Sequence, residues 1–211
     1  RLLKALVATG KPVVLVLFNG RPLTLNWENE NVPAILDVWF AGSEAGDAIA
    51  DALLGKVNPS GKLSMSFPQN VGQIPLYYNH KNTGSPFGFG LSYTSFEYGA
   101  MQLSSKQLKG NQKLRVTIPV KNTGKYAGKE VVQLYIKDEV GTITRPVKEL
   151  KGFEKIELAP GETKEVVFEI TTELLKFYNS ELKFDWESGD FQIMVGPNSR
   201  DVQAVKVNWV K

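Results

Sequence analysis

The sequence predicts an α/β segment followed by an all-β one, and three observations carry that reading. Helical and strand patterns alternate as far as Pro68, as they do in a helix-covered, mostly parallel sheet. Within that stretch Pro12-Val-Val-Leu-Val-Leu-Phe18 is apolar on both faces, which an interior parallel strand requires. From residue 95 onward the apolar period falls to two and turn signals recur between short runs, the pattern of an antiparallel β-sandwich of immunoglobulin type. The chain therefore divides into 1–68, an irregular strap at 69–94, and 95–211.

Arg1–Gly10 reads as the second half of an amphipathic helix closed by a glycine, with no N-cap before it. The expectation is that the helix begins before Arg1 and that the chain starts at a cut or a chosen boundary. A buried strand at Val13–Phe18 follows, then a short apolar run at Ala34–Phe40. A helix is expected over 43–54. Ser43 is placed to cap it, Glu44 and Asp47 put negative charge in its first turn, and Gly55 ends it in a left-handed cap. Ala45, Ile49 and Leu53 form its apolar stripe. Asn58-Pro59-Ser60-Gly61 is turn chemistry, and Leu63, Met65 and Phe67 alternate as a strand over 62–67 should. Residues 1–68 hold too few strands for a complete sheet of this kind, so the rest is expected upstream.

Residues 69–94 are rich in Gly, Pro, Asn, Tyr and Phe and show no sustained period. A segment this long and irregular is functional or strapped across a neighbour, and its aromatics argue against a floppy linker. Beyond it, four runs alternate: Leu114 to Val120, Val132 to Ile136, Val166 to Ile170 and Phe191 to Val195. Turns fall at Asn122-Thr-Gly124, Ala159-Pro-Gly161, Ser188-Gly189 and Gly196-Pro-Asn198. Seven or so strands are expected, with Trp186 and Trp209 in the core or at its edge.

With 25 Lys+Arg against 22 Asp+Glu, the net charge of +3 is spread without a basic block, which gives nucleic-acid or anionic-membrane binding little electrostatic support. The absence of cysteine excludes disulfides and thiolate metal sites. No apolar run approaches the roughly 20 residues that span a bilayer. His80 is the only histidine, so a metal site would have to rest on carboxylates, and none is expected.

The wording of several segments is more specific than their grammar. Trp39-Phe-Ala-Gly-Ser-Glu-Ala-Gly46 through Asn58-Pro-Ser-Gly61 to Phe67-Pro68 resembles the C-terminal part of family 3 glycoside hydrolases, periplasmic β-glucosidases of Gram-negative bacteria most closely. The resemblance continues in order through Val71-Gly-Gln-Ile-Pro-Leu-Tyr-Tyr78, Pro86-Phe-Gly-Phe-Gly-Leu-Ser-Tyr-Thr94, Glu130-Val-Val-Gln-Leu-Tyr-Ile136 and Arg145–Phe153 to Pro160-Gly-Glu162. It implies the C-terminal part of an α/β three-layer sandwich domain followed by a fibronectin type III-like domain. One departure stands out. Only Ser85 separates Asn82-Thr-Gly84 from Pro86-Phe87, where the family carries a longer loop; a natural deletion and residues left out of the sequence are the two explanations.

The resemblance implies a retaining exo-glycosidase, whose two carboxyl groups stand about 5 Å apart across the scissile bond. It places the Asp nucleophile on an N-terminal (β/α)₈ barrel and the acid/base Glu in a loop upstream of residue 1. No catalytic residue is therefore expected within this chain, and the isolated chain is expected to be inactive. The implied partners are a β-linked oligosaccharide or glucoside, the barrel and the remainder of the α/β domain, with a homodimer through the sandwich as a further possibility. No cofactor, metal, nucleic acid or membrane is implied, and a periplasmic or secreted location is.

Three residues are candidates for bordering the sugar site of the intact enzyme. Trp39 and Glu44 flank Ala41-Gly42-Ser43 at a strand-to-helix junction, where open α/β sheets bind ligands. Arg21 follows the strand Val13–Phe18 directly, in Asn19-Gly-Arg21-Pro22. Each has a structural reading as well: a buried Trp, a carboxylate on the helix dipole, a tight turn with a surface Arg. Tyr77, Tyr78, Phe87, Phe89 and Tyr93 read either as a sugar-stacking platform or as pins holding the strap to both domains. A second function class, a stand-alone carbohydrate-binding or adhesion module, calls for a row of exposed aromatics on the sandwich. Tyr126, Tyr135, Phe153, Phe177, Tyr178, Phe184 and Trp186 follow no common stripe.

Overall fold

A computed structural model describes residues 1–81 and 85–211. The Asn82-Thr-Gly84 side of the shortened loop lies outside the described residues.

The first part contains α1 (Leu2–Val7), β1 (Val14–Leu17), α2 (Asn26–Asn31), β2 (Ala34–Asp37) and α3 (Ala45–Leu53). β1 and β2 pair in parallel, Val14 opposite Ala34 and Leu17 opposite Asp37, as the βα alternation predicts. α2 (NWENEN) has no apolar period and gave no signal in the sequence. α3 corrects one expectation: Glu44, not Ser43, is its N-cap, and no side chain caps it. Its other end behaves as read. Gly55 takes φ +73°, its N–H donates to the Ala52 carbonyl and that of Lys56 to the Asp51 carbonyl, the two bonds of a Schellman cap.

Two further expectations fail here. Residues 62–67 form no strand; among the described residues only Leu63 and Phe67 make backbone hydrogen bonds there, with Gly88, Phe89 and Ser85 of the strap. The strand expected to be buried on both faces is not: Val14 is 49% exposed and Phe18 63%. Burial on both faces requires a layer on each side, and β2 is the sole strand hydrogen-bonded to β1 among the described residues.

The all-β part behaves as a sandwich. Its strands are β3 (Phe96–Tyr98), β4 (Gln102–Leu103), β5 (Gln107–Lys109), β6 (Leu114–Asn122), β7 (Gly128–Asp138), β8 (Glu149–Leu158), β9 (Thr163–Ile170), β12 (Gly189–Gly196) and β13 (Gln203–Val210), with a small hairpin of β10 (Phe177–Tyr178) and β11 (Phe184–Asp185) between. One sheet runs β5-β13-β12-β7-β8; in the other β9 lines one side of β6, and β3 and β4 succeed each other along its opposite side. Alternation along β6 sends Leu114, Val116, Ile118 and Val120 into the core, where they meet Val132, Leu134, Ile193, Val195, Val166 and Ile170. Trp209 is fully buried, packs edge-on to Trp186 with ring centroids 6.2 Å apart and donates its indole N–H to the Gly110 carbonyl.

Carboxylates in both parts of the chain tie its stability to pH. Lys137 holds Glu139 below the ordinary carboxyl value, Lys206 does so for Asp190, Lys211 for Asp185 and Arg200 for Asp201, while the Ala159 backbone N–H lowers Glu162. A lowered group contributes stability that is present above its unfolded pKa and lost as pH falls through the folded one. Burial raises Asp37 and Asp138, so these two work in the opposite sense, adding stability below the unfolded value of 3.8 and losing it as pH rises through their raised values. The lowered set is the larger. Thermal unfolding should therefore shift to lower temperature between about pH 5 and pH 2, and high salt should flatten the dependence because most of these pairs are exposed.

Candidate functional site

Because β1 and β2 are parallel, the loops that leave their carboxyl ends meet at one edge. The first loop is Phe18-Asn-Gly-Arg21 and the second runs from Val38 to Glu44. They touch: a Cβ added at Gly20 would lie 2.4 Å from the Phe40 ring, so any larger residue there would push that exposed ring aside. Arg21, Trp39 and Glu44, singled out from sequence, all lie on these two loops. Arg21 and Glu44 are exposed and Trp39 is half-buried. Phe40, which sequence reasoning did not single out, is 86% exposed.

Trp39 has an unusual backbone. Its φ is +50°, a left-handed conformation that costs a bulky residue roughly 1–2 kcal/mol and persists where the surroundings impose it. Asp37 accepts the Trp39 N–H at 3.3 Å, and the Trp39 and Phe67 rings pack edge-to-face with centroids 5.8 Å apart. Below the edge, Asn19 donates to the Arg21 carbonyl at 2.9 Å, which makes the tight turn. Asn19 Oδ1, Asp37 Oδ2 and Ser66 Oγ are buried without hydrogen-bond partners. Such atoms are rare in folded proteins and concentrate where strain or function is built in. Burial is also the main reason that the Asp37 carboxyl is raised.

The strap aromatics divide between the two domains. Tyr78 stacks on Phe87 at 4.5 Å, lies 6.3 Å from Tyr135 and accepts the Leu150 N–H at 3.0 Å. Tyr93 donates its hydroxyl to the Ala52 carbonyl at the end of α3. Those three are pins. Tyr77 lies against His80 and is 54% exposed, and Phe89 is half-buried with its carbonyl bound by the Leu63 N–H. Between the domains Lys62 and Glu130 form an ion pair at 2.9 Å, with side chains only 13% and 4% exposed. Asn58 adds a hub that donates to the Ala127 carbonyl and accepts from Ser92 and the Tyr93 N–H.

Among the described residues no group of three His, Asp or Glu side chains could hold a metal, and no helix is long and apolar enough to cross a membrane. Of the sandwich aromatics named from sequence, Tyr126 and Phe153 are exposed. Tyr135, Phe177 and Trp186 are buried, whereas Tyr178 and Phe184 form an exposed cross-strand pair on the small hairpin.

Comparison with known proteins gives a consistent outcome. Residues 1–93 match the glycosyl hydrolase family 3 C-terminal domain and residues 130–199 the fibronectin type III-like domain. A periplasmic beta-glucosidase of Salmonella typhimurium is 48% identical over 96% of this chain, and a beta-xylosidase of Formosa agariphila 45% over 94%. The crystal structure of a beta-glucosidase from Listeria innocua in complex with isofagomine superposes on the whole chain with a TM-score of 0.93 and 44% identity. The chain spans 29%, 30% and 32% of the lengths of these three proteins.

Proposed function

Since the chain belongs to the family 3 glycoside hydrolases and matches their C-terminal part, we propose that it serves a retaining, exo-acting β-glucosidase that releases terminal β-D-glucosyl residues. The observation that carries this reading is the likeness to the Listeria beta-glucosidase over the full chain. In this reading residues 1–68 complete the α/β domain, 69–94 strap it down, and 95–211 brace it. The nucleophile and acid/base lie outside residues 1–211, so the chain contributes no carboxylate to the reaction. A periplasmic or secreted location belongs to the same proposal, supported by the periplasmic relative, as does a homodimer through the sandwich.

The Arg21, Trp39 and Glu44 edge is proposed to border the sugar. The chemistry suits that place: an indole face packs against sugar C–H groups, and a guanidinium and a carboxylate bond hydroxyls. The purified 211-residue chain should not hydrolyse an aryl β-glucoside; turnover proportional to its concentration after repurification would refute this. In the complete polypeptide, Trp39→Ala should raise KM about fivefold to tenfold, an energy of about 1 kcal/mol, with a smaller change in kcat. An unchanged KM would remove Trp39 from the sugar's border.

A further inference from the structure

We infer that Gln133, inside the sandwich, is a positioning residue for Trp39, acting through the strap. The inference rests on the reading that the Trp39 edge borders the sugar, but its geometry does not depend on that reading. A left-handed Trp needs something to impose it, and the end of β2 supplies a 3.3 Å bond from the Trp39 N–H to Asp37. The Trp39 ring packs against Phe67, which is 5% exposed and lies in a segment that forms no strand. What fixes Phe67 therefore bears directly on Trp39.

Phe67 exchanges two backbone hydrogen bonds with Ser85, at 3.1 and 2.9 Å. Four residues earlier, Leu63 donates to the Phe89 carbonyl and accepts from the Gly88 N–H, both at 2.7 Å. Residues 85–89 are in turn held by the sandwich. The Gln133 amide donates to the Gly88 carbonyl at 3.2 Å and to the Pro197 carbonyl at 2.7 Å, and its oxygen accepts the Tyr135 hydroxyl at 2.5 Å. Gln133 is 3% exposed and Tyr135 fully buried, and burial pushes the Tyr135 phenol above its ordinary value, so it stays a donor. The fit is close, since a Cβ on Gly88 would fall 2.0 Å from the Gln133 amide oxygen. Ser199 adds a bond from its N–H to the Phe87 carbonyl. The sandwich thus reaches the Trp39 edge through one unbroken series of contacts, and Gln133 is the buried side chain that begins it.

The test uses the indole N–H signals of the four tryptophans of the 211-residue chain in ¹H–¹⁵N correlation spectra, with Trp39 assigned by Trp39→Phe. Trp209 pairs with Gly189, at the far end of β12 from the Gly196 that faces Gln133, about 20 Å away along the strand. It therefore reports the integrity of the sandwich. Gln133→Leu should move or broaden the Trp39 signal and leave Trp209 in place. Tyr135→Phe, which removes one hydroxyl and keeps the ring, should give the same pattern with smaller amplitude, and Phe67→Leu should give it without touching the sandwich. A Trp39 signal unmoved by Gln133→Leu and by Tyr135→Phe overturns the inference. No sugar enters this measurement, so its failure is separate from a failure of the KM prediction for Trp39→Ala. If both hold, Gln133→Leu in the complete polypeptide should raise KM more than it lowers kcat.

Discussion

Replacing Lys62 by Met should destabilise the chain by about 3–5 kcal/mol, the range seen when one partner of a buried ion pair is deleted. The side chains are 13% and 4% exposed, and Glu130 is the deeper of the two. Without the ammonium, its carboxylate would keep, among the described residues, the Tyr98 hydroxyl at 2.9 Å. Burial and the neighbouring carboxylate raise the Tyr98 phenol, so it remains a donor, but one neutral hydrogen bond does not compensate a buried charge. Glu130→Gln alone should cost less. It keeps an acceptor for Tyr98, and Lys62 retains the Gly90 carbonyl at 3.0 Å. The double variant Lys62→Met/Glu130→Gln should recover most of the loss, ending within about 1–2 kcal/mol of the parent. Urea unfolding of the four proteins closes the cycle. A Lys62→Met loss below about 1 kcal/mol would mean that water reaches Glu130 and the pair behaves as a surface bridge.

That pair illustrates where sequence reasoning stops. Residues with a local cause were legible: Gly55 as a left-handed cap, the parallel pairing of the two apolar runs, and the alternation of Leu114 through Val120. The loops carrying Arg21, Trp39 and Glu44 were placed by the same rule, because parallel strands send their following loops to one edge. What depends on distant chain was not legible. Lys62 and Glu130 are separated by 68 positions, and neither has a local pattern that names the other. Leu63, Met65 and Phe67 alternate correctly, yet the neighbouring segment is an irregular strap whose described residues offer backbone hydrogen bonds only at Leu63 and Phe67. β8 escaped notice because its first seven residues show no in-and-out alternation and its ladder to β7 is interrupted between Leu134 and Tyr135. Trp39 read as ordinary because a left-handed backbone at a bulky residue is imposed by packing, not by propensity.

Asn122→Ala should cost about 2–4 kcal/mol, more than its place in an Asn-Thr-Gly turn suggests. As a turn residue it would be exposed and replaceable; here it is fully buried. Its amide donates to the Tyr126 carbonyl at 2.7 Å and the Leu158 carbonyl at 3.0 Å, while its oxygen accepts from the Thr94 hydroxyl at 2.7 Å and the Gly124 N–H at 3.0 Å. Four groups lose a partner when it goes. The exposed turn can recover water for some of them, but the Leu158 carbonyl, on a residue with no exposed surface, cannot. Thr94→Val removes only one of the four bonds and should cost about 1 kcal/mol. Asn122→Asp distinguishes this account from a simple packing loss. An ionised carboxylate there would face two carbonyl oxygens and be raised in pKa, so its penalty is greatest near pH 7 and is relieved as pH falls through that raised value. The alanine variant has no such group, and its deficit relative to the parent should stay constant over the same range. Parallel unfolding curves of the aspartate and alanine variants at all pH values would show that the amide's donors are not what holds this corner together.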